Sequence, residues 1–334
     1  MSIAYENNNE RLTSTTEIVA GIEMAKILNY GSLNIDYVYD VPHFVKAGET
    51  LSSTNRSIFA GGKGLNQSVA LARAGGNVYH AGAVGKDDSK ILTDVLAEDK
   101  IDFSNIAKRD CPSGHTIIQV DSNGQNCIIL FGGANQTISE ADIDSTLANF
   151  EAGDFMVLQN ETSNIRYMIE KAYEKGMKVC FNVSPFTTEL LKLPLEKCAY
   201  LIVNEIEGAA MADMPDDTDP YVLLDKLCEK FPQTSFVLTL GSRGSILREV
   251  GENPISCKAF KVNAVDTTAA GDTFLGYLIT NIATDMNRAL AIKCATAASA
   301  LAVQVKGATP SIPRAKDVLE FIKKAGQEVL TEKL

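Results

Sequence analysis

From Asp142 to Leu240 the chain alternates short β-type runs with helical segments, and this alternation constrains its fold more than any single motif. Phe155–Leu158, Lys178–Asn182, Tyr200–Val203 and Phe236–Leu240 are short, largely apolar runs, whereas residues 163–175, 205–213 and 221–230 carry helical spacing. Strands separated by helices build parallel βαβ units with right-handed crossovers and helices on both faces. Lys26–Gly31 and Val78–Ala83 read as further strands, and residues 89–98, 288–304 and 315–328 as further helices. The expected architecture is α/β in three layers, helices on either side of a mainly parallel sheet. Ligands of such sheets sit beyond the carboxyl ends of the strands. The polar clusters fall there: Asn34 and Asp36 after the first strand, Glu161 after Leu158, Asn204 and Glu207 after Val203, and Gly241-Ser242-Arg243-Gly244 after Leu240. Their coincidence predicts one shared site.

A second constraint is the stretch Val265-Asp266-Thr267-Thr268-Ala269-Ala270-Gly271-Asp272-Thr273-Phe274. Phe274, Leu278 and Ile282 recur at helical spacing, so Ala269, Ala270 and Gly271 stand at a helix N-terminus. Unpaired backbone N–H groups and the helix dipole favour an anion there. Asp272, in the same first turn, would repel a phosphate. It either caps the helix or takes a proton from a hydroxyl that attacks phosphorus.

The remaining segments are less decisive alone. Asn34 and Asp36, two apart in extended backbone, face one side and suit neighbouring hydroxyls of a polyol; a turn with side-chain hydrogen bonds is the alternative. Ala60-Gly61-Gly62-Lys63-Gly64-Leu65-Asn66-Gln67 is a glycine turn opening a helix over 68–74. It matches neither the P-loop nor the dinucleotide fingerprint, which argues against a dinucleotide-dependent oxidoreductase. Residues 37–60 and 114–131 are β-rich, the latter with Asn123-Gly124 between alternating runs, a strong hairpin signal. They are expected to form a small lid, and its edges and apolar face are expected to pair with a second copy. Residues 1–25 read as a flexible extension preceding one domain over 26–334.

The net charge of −11 argues against nucleic-acid or anionic-membrane binding, so an anionic substrate needs a local positive site. Seven scattered cysteines without a CxxC pair read as reduced thiols, and no apolar run approaches a membrane span, so a cytoplasmic protein is expected.

Taken together, GSLNID, GGKGLNQ, NEIE, TLGSRG, DTTAAGDTF and KGATPSIP, in that order over residues 26–330, resemble the ribokinase-like (pfkB) family of carbohydrate kinases. The resemblance implies the ribokinase-like fold, a β lid over the sugar, and a homodimer through that lid. It implies ATP-dependent phosphorylation of D-ribose at its 5-hydroxyl. The alternatives are a fructokinase, deoxyribokinase or adenosine kinase, or a sugar-binding regulator without catalysis. By this likeness Asp272 is the catalytic base, and Ala269, Ala270 and Gly271 form the anion hole. Asn34, Asp36, Gly62, Lys63, Asn66 and Glu161 would contact the sugar. Asn204 and Glu207 would organise Mg2+ and phosphates, largely through water. Thr239, Gly241, Ser242, Arg243 and Gly244 would form the nucleotide loop, with Thr296 on the adenine side. Asp266, Thr268, Ala302, Val305, Gly307 and Ser311 would hold K+, several through backbone carbonyls.

Overall fold

The computed structural model describes residues 24–325 and 331–333. Nearly all of the expected N-terminal extension lies outside these residues.

Among the described residues, ten strands form the central sheet: β1 (Lys26–Tyr30), β4 (Asn77–Gly85), β5 (Asp102–Arg109), β8 (Phe155–Gln159), β9 (Lys178–Asn182), β10 (Tyr200–Asn204), β11 (Ser235–Thr239), β12 (Ser245–Arg248), β13 (Ile255–Cys257) and β14 (Thr331–Lys333). The order is β14-β13-β12-β11-β10-β9-β8-β1-β4-β5. From β5 to β11 neighbours run parallel, and the last three join antiparallel. From β1 the chain first builds outward through β4 and β5, then returns to its other side at β8. The order reverses between β1 and β8, which opens a crevice at their carboxyl ends.

Both sheet faces are buried. Along β8, Phe155 and Val157 enter one core cluster while Met156 and Leu158 enter the other. Helices α1 (Lys63–Arg73), α2 (Lys90–Glu98), α7 (Ala270–Ala283), α8 (Arg288–Ala302) and α9 (Ala315–Ala325) contribute to the first core. Helices α3 (Glu140–Leu147), α4 (Ile165–Glu174), α5 (Glu205–Ala212) and α6 (Pro220–Lys230) contribute to the second. The expected three layers are therefore present. Among the described residues no helix is long and apolar enough to cross a membrane.

Four strands, β2 (Asn34–Asp40), β3 (Asn55–Gly61), β6 (Gly114–Val120) and β7 (Asn126–Phe131), form a separate sheet in the order β3-β2-β6-β7. The predicted hairpin is its β6–β7 pair, in register from His115–Phe131 to Val120–Asn126. Asn34 and Asp36 share one side of extended β2, as expected, and one expectation shifts: the lid strand begins at Asn34, not at residue 37. Another shifts at α1, which begins at Lys63 rather than near Ser68, so Lys63, Asn66 and Gln67 occupy its first turns. The sequence pattern also missed β5, whose DFSNIAKR interleaves polar and charged side chains because it is an edge strand.

Candidate functional site

The crevice between β1 and β8 collects the first group of candidate residues. Gly62 turns the chain from β3 into α1 with φ 95°, a conformation that glycine adopts without strain. Asn34 is buried, and its Oδ1 accepts from Asn135 Nδ2 at 2.8 Å. Asp36 accepts from Thr116 Oγ1 at 2.5 Å. Burial pushes the Asp36 carboxyl above the usual range, and the Thr116 bond only partly offsets this. Gly61 lies against Asp36: a Cβ there would stand 2.0 Å from Oδ2. Glu161 accepts from the Ser32 hydroxyl and, at 3.2 Å, from the Lys63 N–H. Burial raises its pKa too, opposed by Ser32 and Lys63 and reinforced by the charge of Asp272. Asp36 and Glu161 are thus poorly solvated acceptors, matched to the hydroxyl protons of a polyol.

Asp272 closes the other side of the crevice. It is 8% exposed, in the first turn of α7. Asn66 Nδ2 donates to Oδ2 at 3.0 Å and Gln67 Nε2 to Oδ1 at 2.9 Å. The helix begins from Ala269, which has the left-handed φ of 58°, a strained setting for a residue with a Cβ. The Ala270 N–H already donates to Thr267 O at 3.2 Å, and the ladder proper starts with Thr273 N to Ala269 O at 2.8 Å. The helix-end donors that remain for an anion are those of Gly271 and Asp272. Gly271 also has open space where a side chain would be.

Beyond Gly271 lies a cavity of about 640 Å³. Asn204, Thr239, Gly241, Ser242, Gly244 and Thr296 are among the residues that line it. Its volume and mixed polar and apolar lining suit a nucleotide-sized ligand. Asn204 and Glu207 form a capping box on α5: Asn204 Oδ1 accepts from Glu207 N at 2.8 Å, and Glu207 Oε2 from Asn204 N at 3.0 Å. Arg243 is not among the lining residues and forms an exposed ion pair with Glu205. Thr296 is buried and bonds Ile292 O at 2.8 Å and Ser245 Oγ at 3.0 Å, so it shapes the cavity wall.

The loop before the helix is tied to the end of α8 and the segment that follows it. Asp266 Oδ1 accepts from Thr268 N at 2.9 Å and Thr268 Oγ1 at 2.6 Å, and Oδ2 from Gly307 N at 2.9 Å. The Val265 N–H donates to Val303 O at 2.7 Å. Burial would raise the Asp266 carboxyl, but these hydrogen bonds and nearby Lys306 hold it below the usual range. Ala302 is buried and Val305 exposed at the end of α8, with Val305 N on Ala302 O at 3.1 Å. Ser311 is buried, its hydroxyl on Ala308 O at 2.7 Å.

Sequence reasoning left Gln67 and Gln159 without a role, yet both are fully buried, Gln67 bonded to Asp272 and Gln159 to Gln67. The available signal was an amide inside each of two otherwise apolar segments, SVALA after Gln67 and FMVL before Gln159.

The geometry agrees with known proteins. Residues 24–315 match the pfkB family of carbohydrate kinases. A ribokinase of Haemophilus influenzae is 34% identical over 304 residues, covering 88% of this chain and 97% of that protein. A ribokinase of Arabidopsis thaliana is 32% identical over 303 residues, covering 88% and 80%. The solved structure of Arabidopsis thaliana ribokinase complexed with ribose and ATP superposes with a TM-score of 0.80 at 29% identity, over 90% of this chain and 99% of that one. The chain belongs to the pfkB family of carbohydrate kinases.

Proposed function

We propose that this kinase transfers the γ-phosphoryl group of ATP to the 5-hydroxyl of D-ribose, in the cytoplasm. The observation that carries the reading is the placement of Asp272, between a crevice of polyol-matched acceptors and the nucleotide-sized cavity. In this reading Asn34, Asp36, Lys63, Asn66 and Glu161 fix the sugar, with Gly62 providing the turn that presents them. Asp272 takes the 5-hydroxyl proton as the oxygen attacks phosphorus. The Gly271 and Asp272 N–H groups stabilise the migrating phosphoryl group, and one such donor is worth roughly 3 kcal/mol. Ala269 and Ala270 set the turn that aims them. Thr239, Gly241, Ser242 and Gly244 receive the nucleotide, Thr296 backs the base, and Arg243 stays on the rim. Phosphoryl transfer asks mainly for such alignment and charge stabilisation. Mg2+, when bound, neutralises phosphate charge. Asn204 and Glu207 fit an outer, water-mediated role toward it, because their capping box already occupies one carboxylate oxygen and the amide oxygen. An ADP-release assay against ribose, deoxyribose, fructose and adenosine tests the substrate; preference for any of the last three overturns ribose.

The same reading includes K+. Asp266, Thr268 and Gly307 are joined directly, and the carbonyls of Ala302, Val305 and the turn around Ser311 lie on the neighbouring segments. One carboxylate with carbonyl oxygens has low formal charge and suits a large, weakly hydrated monovalent ion better than Mg2+. Occupancy would steady the loop that carries the Gly271 N–H. Rates at constant ionic strength are expected to be higher in potassium than in sodium or tetramethylammonium salts, with the advantage lost in Asp266→Asn; equal rates in all three refute the site.

Assembly follows from the lid. Ile58, Ile117, Ile129 and Phe131 are each at least 40% exposed. A small sheet with this much exposed apolar surface is stabilised by a twin. Sedimentation is expected to give a dimer at micromolar concentration, and a monomer there removes the lid interface.

A further inference from the structure

Behind Asp272 lies a line of buried amides that touches neither the crevice opening nor the nucleotide cavity. Gln67 Nε2 donates to Asp272 Oδ1 at 2.9 Å. A carboxylate only accepts, so the amide orientation is fixed, and Gln67 Oε1 must take a donor of its own. That donor is Gln159 Nε2, at 2.7 Å, which also gives a bond of 2.9 Å to Asn29 Oδ1. Asn29 Nδ2 donates in turn to Gly64 O at 2.7 Å and to Ser68 Oγ at 2.8 Å. Ser68 stands 2.7 Å from His80 Nδ1. The Ser68 oxygen accepts from Asn29, and its proton goes to His80 Nδ1 when the neutral ring carries its own proton on Nε2. Burial pushes the His80 pKa down to about 4, which keeps it neutral.

Every member is less than 2% exposed apart from Asp272 itself. The line crosses three neighbouring strands, through Asn29 of β1, His80 of β4 and Gln159 of β8, before reaching α1 and α7. It therefore ties the carboxylate to the buried middle of the parallel sheet. Each amide is locked in one orientation by the next, because reversing any one would set donor against donor or acceptor against acceptor. Among the described residues Gln159 Oε1 and His80 Nε2 have no hydrogen-bond partner. Every bond from Asp272 through Gln67 and Gln159 to Asn29 is made, however, and buried networks of this kind fix one geometry at a cost in stability. Such a device suits a carboxylate that must meet a hydroxyl within a few tenths of an ångström.

We infer that Gln67, held by Gln159, is the positioning residue of the catalytic carboxylate: it fixes the rotation of Asp272 so that the oxygen bonded to Asn66 faces the sugar hydroxyl. The inference rests on the reading of Asp272 as the base. It adds that the orientation comes from the sheet through Gln159, and not from the sugar or the helix end.

The test uses Gln67→Met, which keeps the length and buried volume of the side chain but cannot donate to Asp272. Expected is a fall in kcat of about 10–100-fold, with KM for sugar and ATP within about threefold of the parent, as for loss of an interaction made in the transition state. The decisive control is the same change in an Asp272→Asn background. With no base left to orient, Gln67→Met should lower the residual kcat by less than about twofold, since effects of residues acting as a unit are not additive. If Gln67 were merely structural, the penalty would recur in that background and KM would rise with it. Should Gln67→Met not fold, Gln159→Met leaves the Gln67 contact in place but unbacked. A fall in kcat of roughly 3–10-fold at unchanged KM then supports the inference. Parental kcat in the foldable variant overturns it. The base reading fails separately, if Asp272→Asn itself retains activity.

Discussion

Asp272→Asn is expected to lower kcat by about 10²–10⁴-fold while sugar and ATP still bind, the usual size of a lost general base. Asparagine keeps the volume of the side chain but cannot hold the hydroxyl proton. Its amide also meets two donors that the carboxylate accepts at once, Asn66 Nδ2 at 3.0 Å and Gln67 Nε2 at 2.9 Å. One oxygen satisfies only one side, so the other donor is left facing an NH₂ group. A buried donor without a partner costs about 1–3 kcal/mol. A modest loss of thermal stability should therefore accompany the kinetic loss. The two effects separate cleanly, because calorimetry of ribose and ATP reports binding and single-turnover rates report chemistry. A variant retaining more than half of parental kcat, correctly folded, means that Asp272 is not the base.

How far the sequence foretold this site depends on the kind of signal each residue gives. The parallel strands of the sheet centre, β8 to β11, were legible because burial on both faces leaves short continuous apolar runs. The edge strand β5 was not, since edge strands carry polar residues that resist association. Asp272 was legible because a helix period begins right after it. The roles of Gln67 and Gln159 were invisible. A buried amide announces only that it must have partners, and those partners come from strands and helices more than ninety residues away in sequence. Asn204 and Glu207 were legible as a pair, but their local role as a capping box emerges only from the backbone of α5.

The glycine motif shows the same limit, and yields the other large effect. By helix propensity alone, Gly64→Ala in the first turn of α1 should stabilise by about 1 kcal/mol. The packing says the opposite. A Cβ on Gly64 would lie 2.3 Å from Ser32 N, 2.5 Å from Gly31 C and 2.6 Å from Ser32 O, all backbone atoms that cannot rotate aside. Gly64 O also accepts from Asn29 at 2.7 Å, and Leu65 N donates to Ser32 O at 3.0 Å, so the helix start is pinned to the end of β1. Relief requires α1 to lift from that strand end, taking Lys63, Asn66 and Gln67 with it. Overpacking of this kind costs about 1–3 kcal/mol or more, which outweighs the propensity gain. A displacement of about 1 Å at a reacting geometry costs on the order of 10²-fold in rate. Gly64→Ala is therefore expected to melt lower than the parent and to lose about 10²-fold or more in kcat/KM for sugar. Gly208, inside α5, is the control. Its added Cβ would meet only side-chain methyls, of Val203 at 3.3 Å and of Leu223 and Leu238 at 3.4 Å. Small shifts accommodate it, and Gly208→Ala should stay within about 1.5 kcal/mol of the parent with its activity kept. Thermal melts and sugar titrations of the two variants side by side decide the matter: a Gly64→Ala protein as stable and active as Gly208→Ala would mean that α1 does not need its close seat on β1.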